Sequence, residues 1–251
     1  MVTTTEVRPP VEKKLRKIAG APIVLVYQHS QEVAAKNGTI LFYHGLGVSK
    51  QAHLYEMGRL AKAGFLVVGI DAVGHGERRY PDYDERFEEK RSRATYYQVV
   101  RQTIDEIPAI IDELEAEGLV NQDRLGIAGI SMGGYMVFGG ILADKRIKVA
   151  APIIASPFWR DVPEVSPHLH PDKFFPVALL VQNAGVDTVV KTEQARNFSK
   201  KMEPFYQTSP ERLRYVEYPD AGHIMSPKDW STVVAELVEW FEKYLPAKEI
   251  H

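Results

Sequence analysis

Serine, histidine and aspartate together can break an acyl bond, and this chain carries a candidate of each. Ser131 lies in Gly129-Ile130-Ser131-Met132-Gly133. The preceding Arg124-Leu125-Gly126-Ile127-Ala128 reads as a short buried strand, and Gly134 to Ala143 as the start of a helix, so the serine stands on a strand-to-helix turn. A turn that tight forces a strained backbone on the serine and leaves room only for small residues at its second neighbours. It would hold Ser131 Oγ in the open, in front of a helix N-terminus that favours developing negative charge.

A serine hydroxyl is a poor nucleophile at neutral pH. It needs a base, an orienter for that base, and donors for the oxyanion. His223, in Tyr218-Pro219-Asp220-Ala221-Gly222-His223, is the candidate base, on a loop between the last strand and the last helix. Asp187, in Asn183-Ala184-Gly185-Val186-Asp187-Thr188, is the candidate orienter; its alternative role is an N-cap for the helix beginning near Lys191. Asp220 is a rival acid, but three residues before His223 it suits a turn. His44-Gly45-Leu46-Gly47 follows an apolar strand, and its glycines let the backbone approach a substrate oxygen closely. The N–H groups of Leu46 and Met132 would then form a two-donor oxyanion hole, with His44 organising the loop by hydrogen bonding.

Other polar clusters suit structure better than chemistry. Asp71-Ala72-Val73-Gly74-His75-Gly76-Glu77-Arg78 could offer Asp71 and His75 to a metal, but no second ligand pair at metal spacing accompanies them, and a turn with Arg78 pairing a carboxylate is the expectation. His168 and His170 make a similar lure in a Pro-rich stretch. The aromatics Phe158 and Trp159, with Phe174 and Phe175, either wall an apolar acyl pocket opposite Tyr96 and Tyr97 or pack a short cap onto the sheet; both readings stand.

The elements that must position these groups alternate. Strand-like runs at Ile23–Tyr27, Thr39–Tyr43, Phe65–Ile70, Arg124–Ala128, Lys148–Ile154, Val177–Gln182 and Leu213–Tyr218 are separated by helical patterns. One such pattern runs from Ala94 to Glu117, with a kink or break predicted at Pro108. The last helix starts with Ser226 as N-cap and Pro227 in its first turn. Repeated strand–helix–strand order implies a mostly parallel sheet covered by helices, an α/β fold whose ligands bind beyond the carboxyl ends of the strands. The expected organisation is a single domain over residues 1–251, with a short cap-like insertion at about 156–176.

Composition narrows the function classes. The chain has 251 residues, 45% of them hydrophobic, which is enough for one sizeable core. A formal net charge of -2 gives no electrostatic footprint for nucleic acid or an anionic membrane. With no cysteine, disulfides, thiolate metal sites and a cysteine nucleophile are all excluded. A basic cluster at Lys13, Lys14, Arg16 and Lys17 is not followed by an apolar segment of signal-peptide length, and no stretch has the apolar length of a membrane span, so a cytoplasmic protein is expected.

With these motifs in place, the chain from about residue 20 resembles the α/β-hydrolase superfamily, and most nearly its small dienelactone-hydrolase-like and prolyl-oligopeptidase-like serine esterases. The resemblance rests on Tyr43-His44-Gly45-Leu46, Asp71 to Gly76, Gly129 to Gly134, Asp187 and Ala221-Gly222-His223. It implies the α/β-hydrolase fold, a catalytic triad of Ser131, Asp187 and His223, and oxyanion donation from Leu46 and Met132. Dienelactone hydrolases proper use a cysteine where this chain has Ser131, so that activity is not implied. The expected function is hydrolysis of carboxylic esters of short- to medium-chain acyl groups through an acyl-enzyme. No metal or organic cofactor is expected, the partner is a small-molecule ester, and monomer and homodimer are both open. A thioesterase or a small peptidase-like acyl hydrolase is the alternative among enzymes, and a non-catalytic ligand-binding protein the alternative outside them.

Overall fold

The computed structural model describes residues 10–88, 92–160 and 163–245. Within them eight strands form one sheet: β1 (Glu12–Ile18), β2 (Ala21–Tyr27), β3 (Thr39–Tyr43), β4 (Leu66–Ile70), β5 (Leu125–Ile130), β6 (Ile147–Ile153), β7 (Ala178–Ala184) and β8 (Leu213–Tyr218). Their spatial order is β1-β2-β4-β3-β5-β6-β7-β8. β1 and β2 join antiparallel, and from β4 through β8 every neighbouring pair is parallel. The helices are α1 (Gln31–Asn37), α2 (Leu54–Lys62), α3 (Tyr83–Arg86), α4 (Ser92–Asp105), α5 (Ile107–Ala116), α6 (Met132–Ala143), α7 (Thr192–Met202) and α8 (Pro227–Tyr244).

β2, β3, β4, β5 and β7 are buried along their whole length. Continuous apolar runs are what a sheet covered on both faces requires. Successive residues of a strand face opposite sides, and β5 shows both: Gly126 faces Phe241 of α8, while Ile127 faces Gly140 of α6. α4 and α5 pack on α6, whose Phe138 also meets Phe198 of α7, and α2 packs against α8. Tyr43 of β3 lies opposite both Ile70 of β4 and Gly129 of β5. The loops that follow these three strands therefore open at one edge of the sheet.

Some local outcomes refine the sequence reading. β1 falls on the basic cluster, where no strand was read; its Lys13, Lys14 and Lys17 are exposed, and an edge strand studded with lysine resists pairing with another chain. Ala19 and Gly20 both take positive φ, as a two-residue hairpin turn between twisted strands requires. α1 was not foreseen either; its N-cap Ser30 accepts the Val33 N–H. The pattern over Ala94–Glu117 breaks into α4 and α5, with Pro108 in the first turn of α5, where the N–H it lacks is one that a helix start leaves without an intrahelical acceptor. The described residues of 156–176 hold short 3-10 turns at Pro163–Val165, Pro167–Leu169 and Pro171–Lys173. Among the described residues no helix is long and apolar enough to cross a membrane.

Phe241 is fully buried, packs edge-on against Phe65 and fills the space left open by Gly126. Phe241→Ala removes the contact that seats α8 on the sheet and should cost about 3–5 kcal/mol of unfolding free energy. Urea denaturation of the two proteins checks this; a loss within the error of the measurement would contradict it.

Candidate active site

The turn between β5 and α6 is built by steric exclusion. Ser131 has φ 53° and ψ -115°, a conformation that L side chains rarely adopt. A Cβ on Gly133 would sit 2.1 Å from the Tyr43 carbonyl oxygen, and one on Gly129 would sit 2.4 Å from the Gly133 carbonyl oxygen. Both contacts are with backbone, which cannot swing away, so β3, β5 and α6 meet at this distance only because these two positions are glycine. The Ser131 N–H donates to the Ile153 carbonyl at 2.9 Å, tying the turn to the end of β6. Its carbonyl accepts the N–H groups of Gly134 and Tyr135 as α6 begins.

Three loop ends converge here. Ser131 Oγ lies 3.2 Å from His223 Nε2, and His223 Nδ1 lies 2.8 Å from Asp187 Oδ2. The Asp187 side chain is 1% exposed, and its other oxygen accepts the N–H groups of Val189 and Val190 at 2.7 and 2.9 Å. A carboxylate so held cannot rotate, and it fixes His223 with the proton on Nδ1 and the lone pair of Nε2 towards the serine. The sequence left Asp187 a choice between capping and orienting; it organises the local turn with one oxygen and meets His223 with the other, while the N-cap position of α7 falls to Lys191, which makes no side-chain cap bond. Asp220 is exposed.

The loops that carry Asp187 and His223 are locked to each other. Gly185 N–H donates to the Tyr218 carbonyl at 2.8 Å and Val186 N–H to the Ala221 carbonyl at 3.0 Å. Gly185 passes so near Pro219 that a Cβ would lie 2.4 Å from its carbonyl oxygen. The Asn183 side chain bonds both the N–H and the carbonyl of Ala155, which joins the ends of β7 and β6.

The loop after β3 is held from below by His44. Nε2 accepts the Ala72 N–H at 3.0 Å, so the proton is on Nδ1, which donates to the Gly45 carbonyl at 2.7 Å. The ring is 1% exposed, and burial drives its pKa down to about 4 against the opposing hydrogen bond to Gly45. His44 is thus neutral and structural, and its two bonds couple the Gly45-Leu46 backbone to the end of β4. Gly45 itself lies beside Ser131. Met132 is the first residue of α6, so its N–H has no carbonyl within the helix to meet.

The end of β4 is fixed in turn by Asp71. Its carboxylate accepts Lys50 Nζ at 2.8 Å, Lys50 N–H at 2.8 Å and Glu77 N–H at 2.9 Å. Burial pushes the Asp71 carboxyl up, but these bonds outweigh it and its pKa is lowered on balance. Arg78 reaches both the Asp71 carbonyl and, in a two-pronged pair, Glu106. His75 donates from Nδ1 to the Val73 carbonyl, and Nε2 accepts from the Tyr83 hydroxyl. Asp71 and His75 are therefore spent on fold contacts rather than pointed at an ion. His168 bonds Ser166 Oγ and packs on Phe158. Among the described residues no group of three or more His, Asp and Glu side chains is placed to hold a metal ion.

A cavity of about 700 Å³ opens over Ser131 and His223. Leu46 and Tyr96 line it, as does Tyr97. Phe158 and Trp159 do not: Trp159 is buried and packs on Tyr97, and Phe158 packs on His168. Phe174 likewise sits in the core against Phe138 and Phe198. Trp159 and Phe174 are consumed in packing the segment against α4, α6 and α7, and Phe158 packs within the segment itself. Val48, Phe87, Tyr135, Val189, Arg93 and Arg160 line the cavity and were not foreseen. Val189 follows Asp187 by two residues, so the acid loop itself was the available signal; the arginines carried none.

The depressed His44 pKa has a thermodynamic consequence. The unfolded chain takes up a proton near the ordinary histidine pKa of about 6.5, whereas folded His44 resists until about 4, so stability falls as pH drops through that window. Between pH 7 and pH 5 the contribution should be about 2 kcal/mol. His44→Asn should show a shallower loss of stability over the same interval in urea melts; an unchanged slope would contradict a neutral His44.

Residues 34–178 match the family described as serine aminopeptidase, S33. The putative esterase YitV of Bacillus subtilis (strain 168) is 28% identical over 235 residues, covering 82% of this chain and 89% of that one. Esterase YjfP of Escherichia coli (strain K12) is 26% identical over 149 residues, 59% of this chain and 57% of its own length. Among solved structures, TT1662 from Thermus thermophilus superposes with a TM-score of 0.80 at 21% identity, covering 95% of this chain and 99% of that one, which establishes a shared fold. The chain is a hydrolase of the α/β-hydrolase fold, and it belongs to the serine aminopeptidase S33 family.

Proposed function

We propose that the protein hydrolyses carboxylic esters of short- to medium-chain acids through a covalent intermediate on Ser131. The observation that carries this reading is the unbroken relay at the cavity floor, Ser131 Oγ to His223 Nε2 at 3.2 Å and His223 Nδ1 to Asp187 Oδ2 at 2.8 Å. His223 takes the hydroxyl proton as Ser131 Oγ attacks the ester carbonyl, and buried Asp187 stabilises the imidazolium that results. The N–H groups of Leu46 and Met132 receive the oxyanion. Collapse of the tetrahedral adduct expels the alcohol, which leaves with the proton from His223. Water, deprotonated by His223, then attacks the acyl-serine, and collapse of that adduct breaks the acyl–Oγ bond, releases the acid and returns the proton from His223 to Ser131 Oγ.

The strained serine and the glycines beside it support the roles of nucleophile and oxyanion loop, because they hold the attacking atom in place before substrate arrives. A volume of about 700 Å³ is in the range of small-molecule sites and suits a modest acyl group. Relatives named as esterases support ester over amide chemistry, while the aminopeptidase description of the family keeps a peptide-like amide as the second reading.

A p-nitrophenyl ester series from acetate to long chains tests the proposal, with wild type run beside Ser131→Ala. Turnover should fall to background in the variant, and the chain-length optimum should lie among short to medium acids. Asp187→Asn should keep the fold yet lower kcat by about 10³–10⁴-fold, because the amide stabilises the wrong tautomer of His223. Equal rates in wild type and Ser131→Ala would sink the mechanism.

A further inference from the structure

The cavity wall is amphipathic in a way that plain ester hydrolysis does not require. Its body is apolar and aromatic, from Leu46, Val48, Phe87, Tyr96, Tyr135 and Val189. Two arginines from separate elements line it as well, Arg93 on α4 and Arg160 on the connection after β6. Arg160 is anchored through its backbone N–H, which donates to the Tyr97 hydroxyl at 3.3 Å. No aspartate or glutamate lines the cavity among the described residues. Neither arginine has a carboxylate partner among those residues, whereas Arg78 pairs Glu106, Arg79 pairs Asp84 and Arg86 pairs Asp82. The carboxylate of Asp187 is buried and engaged by His223 and two backbone N–H groups.

We infer that the ester hydrolysed here carries an anionic group at the far end of an apolar body, and that Arg93 and Arg160 receive that group. This rests on the reading of Ser131 as the nucleophile and names its substrate class. A planar guanidinium fork matches the paired oxygens of a carboxylate or a phosphate, and two of them at an apolar cavity select against neutral esters of the same shape. Both side chains are exposed, so solvent screens them, and the gain is modest and salt-dependent.

The test uses substrate pairs that differ in charge alone. On the acyl side, the mono-p-nitrophenyl ester of adipic acid is compared with that of adipamic acid, whose terminal amide is neutral. On the alcohol side, acetylated 4-hydroxybutyrate is compared with acetylated 4-hydroxybutyramide. A phosphonate-terminated acyl ester separates phosphate from carboxylate recognition. For at least one pair, kcat/KM for the anion should exceed the neutral ester by about tenfold at low salt and shrink as salt is added. The ratio should fall towards one in the Arg93→Gln/Arg160→Gln double variant and be better kept by the corresponding lysine pair. A ratio near one for every pair in wild type, or one untouched by the double variant, overturns the inference.

Failure of the nucleophile reading would look different, since wild type would then turn over neither member of any pair. In that case, calorimetric binding of the hydrolysis-resistant amide analogues to Ser131→Ala decides. Tighter binding of the anionic analogue, lost on changing both arginines to glutamine, supports the inference, and equal binding of the two analogues overturns it.

Discussion

Gly133 passes so close beneath the Tyr43 carbonyl that β3, β5 and the start of α6 behave at that point as one packed unit, and the positions of the other candidate groups follow from it. Because a side chain at Gly129 or Gly133 would collide with backbone rather than with a mobile neighbour, the turn cannot relax around a larger residue. Ser131 is left in a strained conformation that its surroundings over-determine: its N–H is bound to β6, and its carbonyl is spent on the first turn of α6. The strain is local, whereas what maintains it is the packing of three strands and a helix. This is why a half-buried serine can be held still at the edge of a sheet.

The loops around the serine are ordered by polar contacts that exclude alternatives. Asp71 and Lys50 form an ion pair with both side chains almost wholly buried, and two backbone N–H groups complete the shell of the carboxylate. Removing one partner of such a pair strands a charge and typically costs about 3–5 kcal/mol, so the end of β4 is not free to drift. From there the order passes through the Ala72 N–H and neutral His44 to Gly45, beside the serine. On the opposite side, backbone bonds between the loops after β7 and β8 keep Asp187 and His223 in mutual register. Each catalytic candidate thus sits on a loop, but each loop is tied to a neighbour near its root.

Much of this was legible in the chain. Buried strands announced themselves as apolar runs, and the glycines flanking Ser131 carried the turn, because both signals arise from sterics within a few residues. The order of Ser131, Asp187 and His223 could be set against a known arrangement. What stayed hidden depends on partners remote in sequence. β1 is a charged edge strand whose identity comes from pairing with β2, not from its own pattern. The fate of Phe158, Trp159 and Phe174 turned on whether the 156–176 segment lies over the cavity or against the core, and no local spacing separates those outcomes. The same holds for Arg93 and Arg160, two arginines among many until the fold brings α4 and the connection after β6 to one cavity.

The central claim is that Ser131 is an activated nucleophile, and covalent labelling reads activation without any assumption about substrate. Wild type treated with a fluorophosphonate and digested should yield one modified peptide, with the adduct on Ser131, and His223→Ala should react far more slowly. No adduct, or an adduct on another residue with Ser131 unmodified, would contradict the account.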